Sequence, residues 1–466
     1  MSIRVLIMVA TLCLSLVSSR VYADDSETAL LRQQITLLQQ QLQQLSQRLE
    51  AIEAQPTKGP VVTTSDVSTE ELASEEKSSR LDVASDGAAL KFASADGNYK
   101  FQVGGRVQAD AAVFDSDIAS FGNGSEIRRA RLFVSGTLFG DWQFKNQIDF
   151  AGNGTSINDS YLRYVGFKNT SITVGNFKEP FSQEELQSSN HLPFIERAQV
   201  IDEFAPDRAL GLAVDFNGVY GAAADRSWTA SFGVYGDGLD DADFNTQTGE
   251  EIDESIAFTG RLSTALVKSK DRLAHFAAAY TNRNVDGGNT LAFDSTIESD
   301  IADANLVDTG TISGVDSFSI VGLEAVGAYG PFSLQGEYLR TNVERDASPD
   351  LEFDGFYIYG SWFLTGESRA AAYKSSTGVV RGISPLSPLS DGGRGAWEFA
   401  ARYGKIDLTS QEIIGGVQED ITLALNWYPN KNLRFSFNYV DVLSVSGGAS
   451  NNDEPSAYLV RGQVTF

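Results

Sequence analysis

The chain has 466 residues, 42% of them hydrophobic and 11% aromatic, with 43 glycines, 11 prolines and a formal net charge of −26. Such acidity argues against a nucleic-acid partner, and one cysteine, Cys13, rules out a disulfide framework. After the leader no apolar run approaches the roughly eighteen residues of a membrane helix, which excludes a helical membrane protein but not a barrel, whose membrane signal lies in alternation.

Met1 to Ala23 reads as a secretory signal, with Arg4 as the charged start, Val5–Val17 as the apolar core and Val21-Tyr22-Ala23 as a small-residue cleavage site. Its removal takes Arg4, Arg20 and Cys13, leaving a mature chain of charge −28 without cysteine. Residues 24–55 are expected to form a coiled-coil helix, because Leu31, Ile35, Leu38, Leu42, Leu45, Leu49 and Ile52 are spaced alternately four and three apart. A lone seam would lie in water, so self-association or a periplasmic partner bound through residues 31–52 is expected. The alternative is an amphipathic helix lying on another surface. Residues 56–98, rich in Pro, Thr, Ser and Glu up to Arg80 and without a period, read as a flexible periplasmic linker.

From 99 to 466 the pattern is that of an all-β transmembrane barrel. In the last stretch Tyr458, Val460, Gly462, Val464 and Phe466 fall on one side, and Leu459, Arg461, Gln463 and Thr465 on the other. Alternation of a greasy with a mostly wet face suits a strand between lipid and a polar lumen. Sixteen antiparallel strands are expected, at 99–114, 126–139, 142–150, 159–167, 171–178, 209–217, 226–235, 253–266, 272–283, 316–329, 331–343, 352–365, 395–407, 417–428, 431–443 and 456–466. Short connections (Gly140-Asp141, Lys168–Thr170, Val267–Asp271, Gly330, Pro429-Asn430) alternate with the long ones 179–208, 236–252 and 284–315, as on the two rims of an outer-membrane barrel. Segment 366–394 is long where a short turn is due, implying either extra structure or a miscounted hairpin.

Several motifs stand in one order: Glu126-Ile-Arg-Arg-Ala-Arg-Leu, Val174-Gly-Asn-Phe-Lys-Glu-Pro-Phe, Glu196-Arg197, Trp362-Phe-Leu-Thr-Gly-Glu, Gly395-Ala-Trp-Glu-Phe-Ala-Ala-Arg-Tyr and Leu425-Asn-Trp-Tyr-Pro-Asn. Together they resemble the phosphate-selective porin O and P family across essentially all of 99–466. The resemblance implies a sixteen-stranded homotrimer in the outer membrane of a Gram-negative bacterium, with its N-terminal segment periplasmic. It also implies a third loop folded into the lumen and an anion path lined by Arg and Lys. The expected surroundings are outer-membrane lipid, lipopolysaccharide and small anions.

The wet faces offer Arg106, Arg129, Arg131, Lys145, Arg163, Arg261, Arg402, Arg434 and Arg461, against Asp110, Asp149, Asp215, Glu324, Glu337 and Glu398. A basic wall in a narrow channel attracts anions even when distant loops are acidic; the competing role is bracing of the wall by pairing with those carboxylates. The constriction loop supplies Lys178, Arg197 and Arg208, but Glu179, Glu184, Glu185, Glu196, Asp202, Glu203 and Asp207 crowd around them, which argues against a strict phosphate filter. An enzyme is not expected, since His191 and His275 lack the marks of an oriented nucleophile–base pair. No cofactor or metal is expected either: Asp241, Asp243 and Asn245 begin like a calcium loop, but Thr246 and Ile252 occupy its glycine and glutamate places. The function expected is a passive channel for small anions, phosphate or a related oxyanion. A general diffusion porin and a structural anchor acting through the coiled coil are the alternatives.

Overall fold

Along Ser456–Thr465 the residues Tyr458, Val460 and Val464 are exposed, whereas Leu459, Arg461 and Gln463 are buried. Leu423 and Leu425, then Phe435 and Phe437, repeat this inside-out arrangement, with Thr422, Ala424, Asn426, Arg434, Ser436 and Asn438 turned inward. A greasy exterior and a polar interior belong to a cylinder whose outside meets lipid.

A computed structural model describes residues 81–85, 89–152, 154–237, 255–285 and 290–466. The expected signal, the coiled coil and the calcium-like stretch 241–252 lie outside the described residues. Strands β1 (Leu81–Ser85) and β2 (Leu90–Ser94) form a hairpin, and β2 pairs with the start of β3, Leu90 opposite Val103. The stretch read as linker therefore ends in strand rather than coil.

The sixteen barrel strands are β3 (Lys100–Asp115), β4 (Gly124–Leu138), β5 (Trp142–Asp149), β6 (Ser156–Tyr164), β7 (Thr170–Lys178), β8 (Arg208–Tyr220), β9 (Arg226–Tyr235) and β10 (Ala257–Lys268). They continue as β11 (Arg272–Asn284), β12 (Val315–Tyr329), β13 (Phe332–Arg345), β14 (Leu351–Phe363), β15 (Ala396–Ser410), β16 (Ile413–Tyr428), β17 (Leu433–Ser446) and β18 (Ser456–Thr465). Each pairs antiparallel with the next, and β18 returns to β3, Ser456 opposite Asp115 and Thr465 opposite Arg106. Phe466 extends this seam through two backbone bonds with Gly105. A Cβ on Gly105 would lie 2.7 Å from the Phe466 ring, so glycine makes room for the terminal aromatic.

One rim carries tight turns such as the three-residue connection 139–141, where Phe139 and Gly140 both take positive φ (55° and 80°). Near it stand the outward stacks Trp397–Trp427–Phe435 and Phe332–Trp362, part of an aromatic girdle.

The lumen is largely filled. Loop 179–207 folds in from the long-loop rim and carries α1 (Gln183–Leu186) and α2 (Gln199–Phe204). Its Phe181, Phe194, Val200, Ile201 and Phe204 pack in one buried cluster with Leu339, Val343, Phe353, Tyr357 and Ile406 of β13–β15. Residues 290–314 join the cluster through Phe293, Ile297, Leu306 and Val307, their own short pairings (Leu291 with Ile312, Ser295 with Val307) bending the segment back on itself. The inner face is mostly wet, as expected, except on β13–β15, which turn apolar side chains inward because the loops pack on them. Segment 364–395 is extra structure rather than a miscounted hairpin. Ala370 and Val380 of this segment pack against Ala265, Leu273, Val326 and Ala328 of β10–β12 inside the tight-turn end.

Candidate channel lumen

All nine wall cations expected from the sequence face the lumen, but seven stand within 3.9 Å of a carboxylate, five of them in close pairs. Arg131 Nε meets Asp149 at 2.5 Å, Arg261 Nη2 meets Glu324 at 2.7 Å, and Lys145 pairs with Asp159. Arg402 lies between Glu184 (3.3 Å) and Glu298 (2.5 Å), while Arg461 lies between Asp110 (2.5 Å) and Glu196 (2.6 Å). A guanidinium so paired contributes little net field to a passing ion, so for these five bracing is the role the contacts describe. Arg129 donates to Gln108 at 3.1 Å and stands 3.6 Å from Glu196; Arg163 donates to Thr173 at 2.8 Å and stands 3.9 Å from Asp215.

The acids of loop 179–207 supply much of this pairing. Glu184 and Glu196 reach the wall as above, and Glu179 meets Arg283 at 2.6 Å. Glu185 holds both Lys178 and Arg197 (the latter at 2.8 Å), and Asp207 meets Arg208 at 3.0 Å. Arg208 in turn reaches Asp159 at 2.9 Å. The loop's three expected cations are therefore engaged as well, and its acids fasten it into the lumen. Burial alone would raise Glu196, but the charges of Arg129, Arg461 and Arg128 hold it well below the usual carboxylate range. Glu185 goes the other way, pushed up to about 7 by burial despite Arg197 and Lys178.

Two wall arginines escape this cancellation. Arg106 donates to Asn190 Oδ1 at 2.8 Å and to Ser188 Oγ at 3.4 Å, and Arg434 donates to the Leu192 carbonyl at 2.5 Å. Neither has a carboxylate partner among the described residues, and Arg106 Nε with Nε and Nη2 of Arg434 are buried without a hydrogen bond. Both converge on the loop tip Ser188-Ser189-Asn190-His191. His191 registers the excess positive charge: burial, then Arg434, Arg106 and Arg381, bring its pKa down to about 4, so it is neutral at pH 7. The other histidine, His275, sits in the wall with Nδ1 3.0 Å from the Tyr373 hydroxyl.

Some lumen residues escaped the sequence reading. Arg128 bonds Glu196 at 3.2 Å and Asp300 at 3.1 Å. It turns inward because the register slips between Gln108↔Arg129 and Ala109↔Ile127, leaving Arg128 as the extra residue of a β-bulge. The signal was available: Arg128, Arg129 and Arg131 cannot all obey strict alternation. Lys374 and Arg381 of segment 364–395 also line the lumen, on a cavity of about 660 Å³ between that segment, loop 179–207 and strands β5–β10. Burial and the charges of Arg381 and Arg163 push the Lys374 pKa down. Only the unexpected length of the segment marked it beforehand.

Residues 101–466 match the family model described as phosphate-selective porin O and P. The chain is similar to porin O of Pseudomonas aeruginosa, 27% identical over 418 residues that cover 81% of this chain and 91% of that protein. An uncharacterized protein of Caulobacter vibrioides is also 27% identical, over 352 residues that cover 74% of this chain and 68% of the relative. Among solved structures, an anion-selective porin from Comamonas acidovorans aligns with 79% of this chain and all of its own length, at a TM-score of 0.49 and 15% identity. A closed sixteen-stranded barrel whose whole length fits one porin family is an outer-membrane channel of a Gram-negative bacterium rather than an enzyme. The chain belongs to the phosphate-selective porin O and P family.

Proposed function

We propose that this channel passes small oxyanions, inorganic phosphate first among them, and selects them at the tip of loop 179–207. The observation that carries this reading is the company kept by Arg106 and Arg434: neutral oxygens and unused N–H groups, in a lumen where most other cations are cancelled. A guanidinium keeps its charge and offers a planar fork to phosphate oxygens, and low-dielectric walls sharpen its pull. The tight-turn rim, where the chain enters β3, faces the periplasm in this reading, and the barrel forms a trimer to which the 31–52 seam adds contacts. The five braced cations favour a second reading, a general diffusion porin of weak selectivity.

Planar-bilayer recording separates the two. The expected wild-type reversal potential in a KCl gradient is that of an anion channel, with chloride current blocked by added phosphate. Arg106→Gln should move that potential toward zero and weaken the block. A wild-type potential near zero supports the diffusion porin, and no current at all supports an anchor.

A further inference from the structure

The cavity at the tight-turn end is larger than an inorganic oxyanion needs. Its volume of about 660 Å³ falls within the roughly 300–1,000 Å³ of sites that enclose organic ligands. Its lining has two kinds of surface. Arg163, Lys374 and Arg381 supply positive charge, and Lys374 and Arg381 have no carboxylate partner among the described residues. Lys178 and Arg261 also border it, but Glu185 and Glu324 hold them. The single lining acid, Asp215, accepts from Ser171 Oγ at 3.1 Å and Ser231 Oγ at 2.8 Å. Between these groups lie Phe177, Leu186 and Val379, apolar surface that a hydrated inorganic ion cannot use. Tyr235, only 1% exposed and edge-on to Phe177, backs the cavity with its hydroxyl sealed against Gly233, where a Cβ would lie 2.5 Å away.

We propose that this vestibule binds an organic phosphate, a phosphomonoester with an aromatic or branched apolar body. Lys374, Arg381 and Arg163 take the phosphoryl oxygens, and the Phe177–Leu186–Val379 surface takes the body. The inference rests on the anion-channel reading and narrows it: the segment 364–395 makes the channel a discriminator between bare and esterified phosphate.

The test compares phenyl phosphate with inorganic phosphate as blockers of single-channel chloride current through the full mature protein. Phenyl phosphate is expected to block with dwell times about tenfold longer, a ratio within reach of one ring's apolar contact. Lys374→Gln with Arg381→Gln should shorten the phenyl phosphate dwell. Leu186→Ser, and independently the near-isosteric Val379→Thr, should bring it down toward that of inorganic phosphate. Equal dwell times in the wild-type channel, or a difference that survives both apolar replacements, would overturn the proposal. An anion-selective wild-type current with equal dwell times would overturn this proposal alone, whereas loss of anion selectivity would strike the reading beneath it.

Discussion

Two irregular segments enter this barrel from opposite rims and bring charge of opposite sign. Loop 179–207 carries seven acids and one base, while 364–395 carries two acids and four bases. The first is fastened by its acids to the wall: Glu184 to Arg402, Glu196 to Arg461, Glu179 to Arg283. The second is anchored by one buried pair, Arg369 with Glu398, and by neutral contacts such as Arg261 with the Thr377 and Gly378 carbonyls and Lys268 with Ser375. Its Lys374 and Arg381 have no carboxylate partner among the described residues. A count of wall arginines therefore does not describe the field a solute meets. The wall cations largely neutralise the acidic loop, and the remaining positive charge gathers where that loop's neutral tip faces the basic segment.

The largest effect expected from breaking this arrangement comes from Arg402→Ala. It would strand Glu184 and Glu298, both fully buried, and so loosen 179–207 and 290–314 together. Removing one partner of a buried pair costs about 3–5 kcal/mol. Thermal unfolding should shift down accordingly, and single-channel conductance should rise and become noisy. Unchanged conductance would mean that the apolar face and the pairs Glu196–Arg461 and Glu179–Arg283 hold the loop without Arg402. A smaller effect is expected at Gly382, where the two segments meet: a Cβ there would lie 2.4 Å from His191 Nδ1. Gly382→Ala should destabilise by about 1–3 kcal/mol, as overpacking does, and His191→Ala should recover most of that loss in the double variant. Additive losses would show that the two segments do not press on each other.

The strands were legible because alternation is local. Each of the sixteen expected spans overlaps an observed strand; 456–466, for example, corresponds to Ser456–Thr465 and 331–343 to Phe332–Arg345. The site was legible only as a set of inward-facing candidates. Arg461 and Glu196 are 265 positions apart, and nothing near either residue records that they meet at 2.6 Å. Pairing between a loop and a wall is a tertiary fact, so Arg106 and Arg461 look alike in sequence though one is open and the other cancelled. The inward apolar residues Leu339, Val343 and Phe353 likewise break the wet-face rule for a reason that exists only once the loops have folded onto them. At Arg128 the local pattern did hold the answer, since three arginines in four positions demand a bulge.

The finest probe of the comparison is the proton on Glu185. Its carboxyl is pushed up to about 7 from an ordinary 4.5, chiefly by burial, while Arg197 and Lys178 pull the other way. The folded state therefore holds a proton that the unfolded chain releases between those values. Glu185 accordingly contributes stability that is present below about pH 4.5 and lost as pH rises through about 7. Conduction should follow the same proton. Above pH 7 the carboxylate cancels charge on Arg197, which it meets at 2.8 Å; once protonated it leaves that guanidinium less compensated. Wild-type anion selectivity should thus increase from pH 8 to pH 5.5, read as a reversal potential in a fixed KCl gradient. Glu185→Gln should hold the acidic value at both pH values and flatten the dependence. A wild-type potential that ignores pH would show that Arg197 lies outside the ion path. That result would leave 179–207 as fastening and assign selection to Arg106, Arg434 and the basic segment opposite.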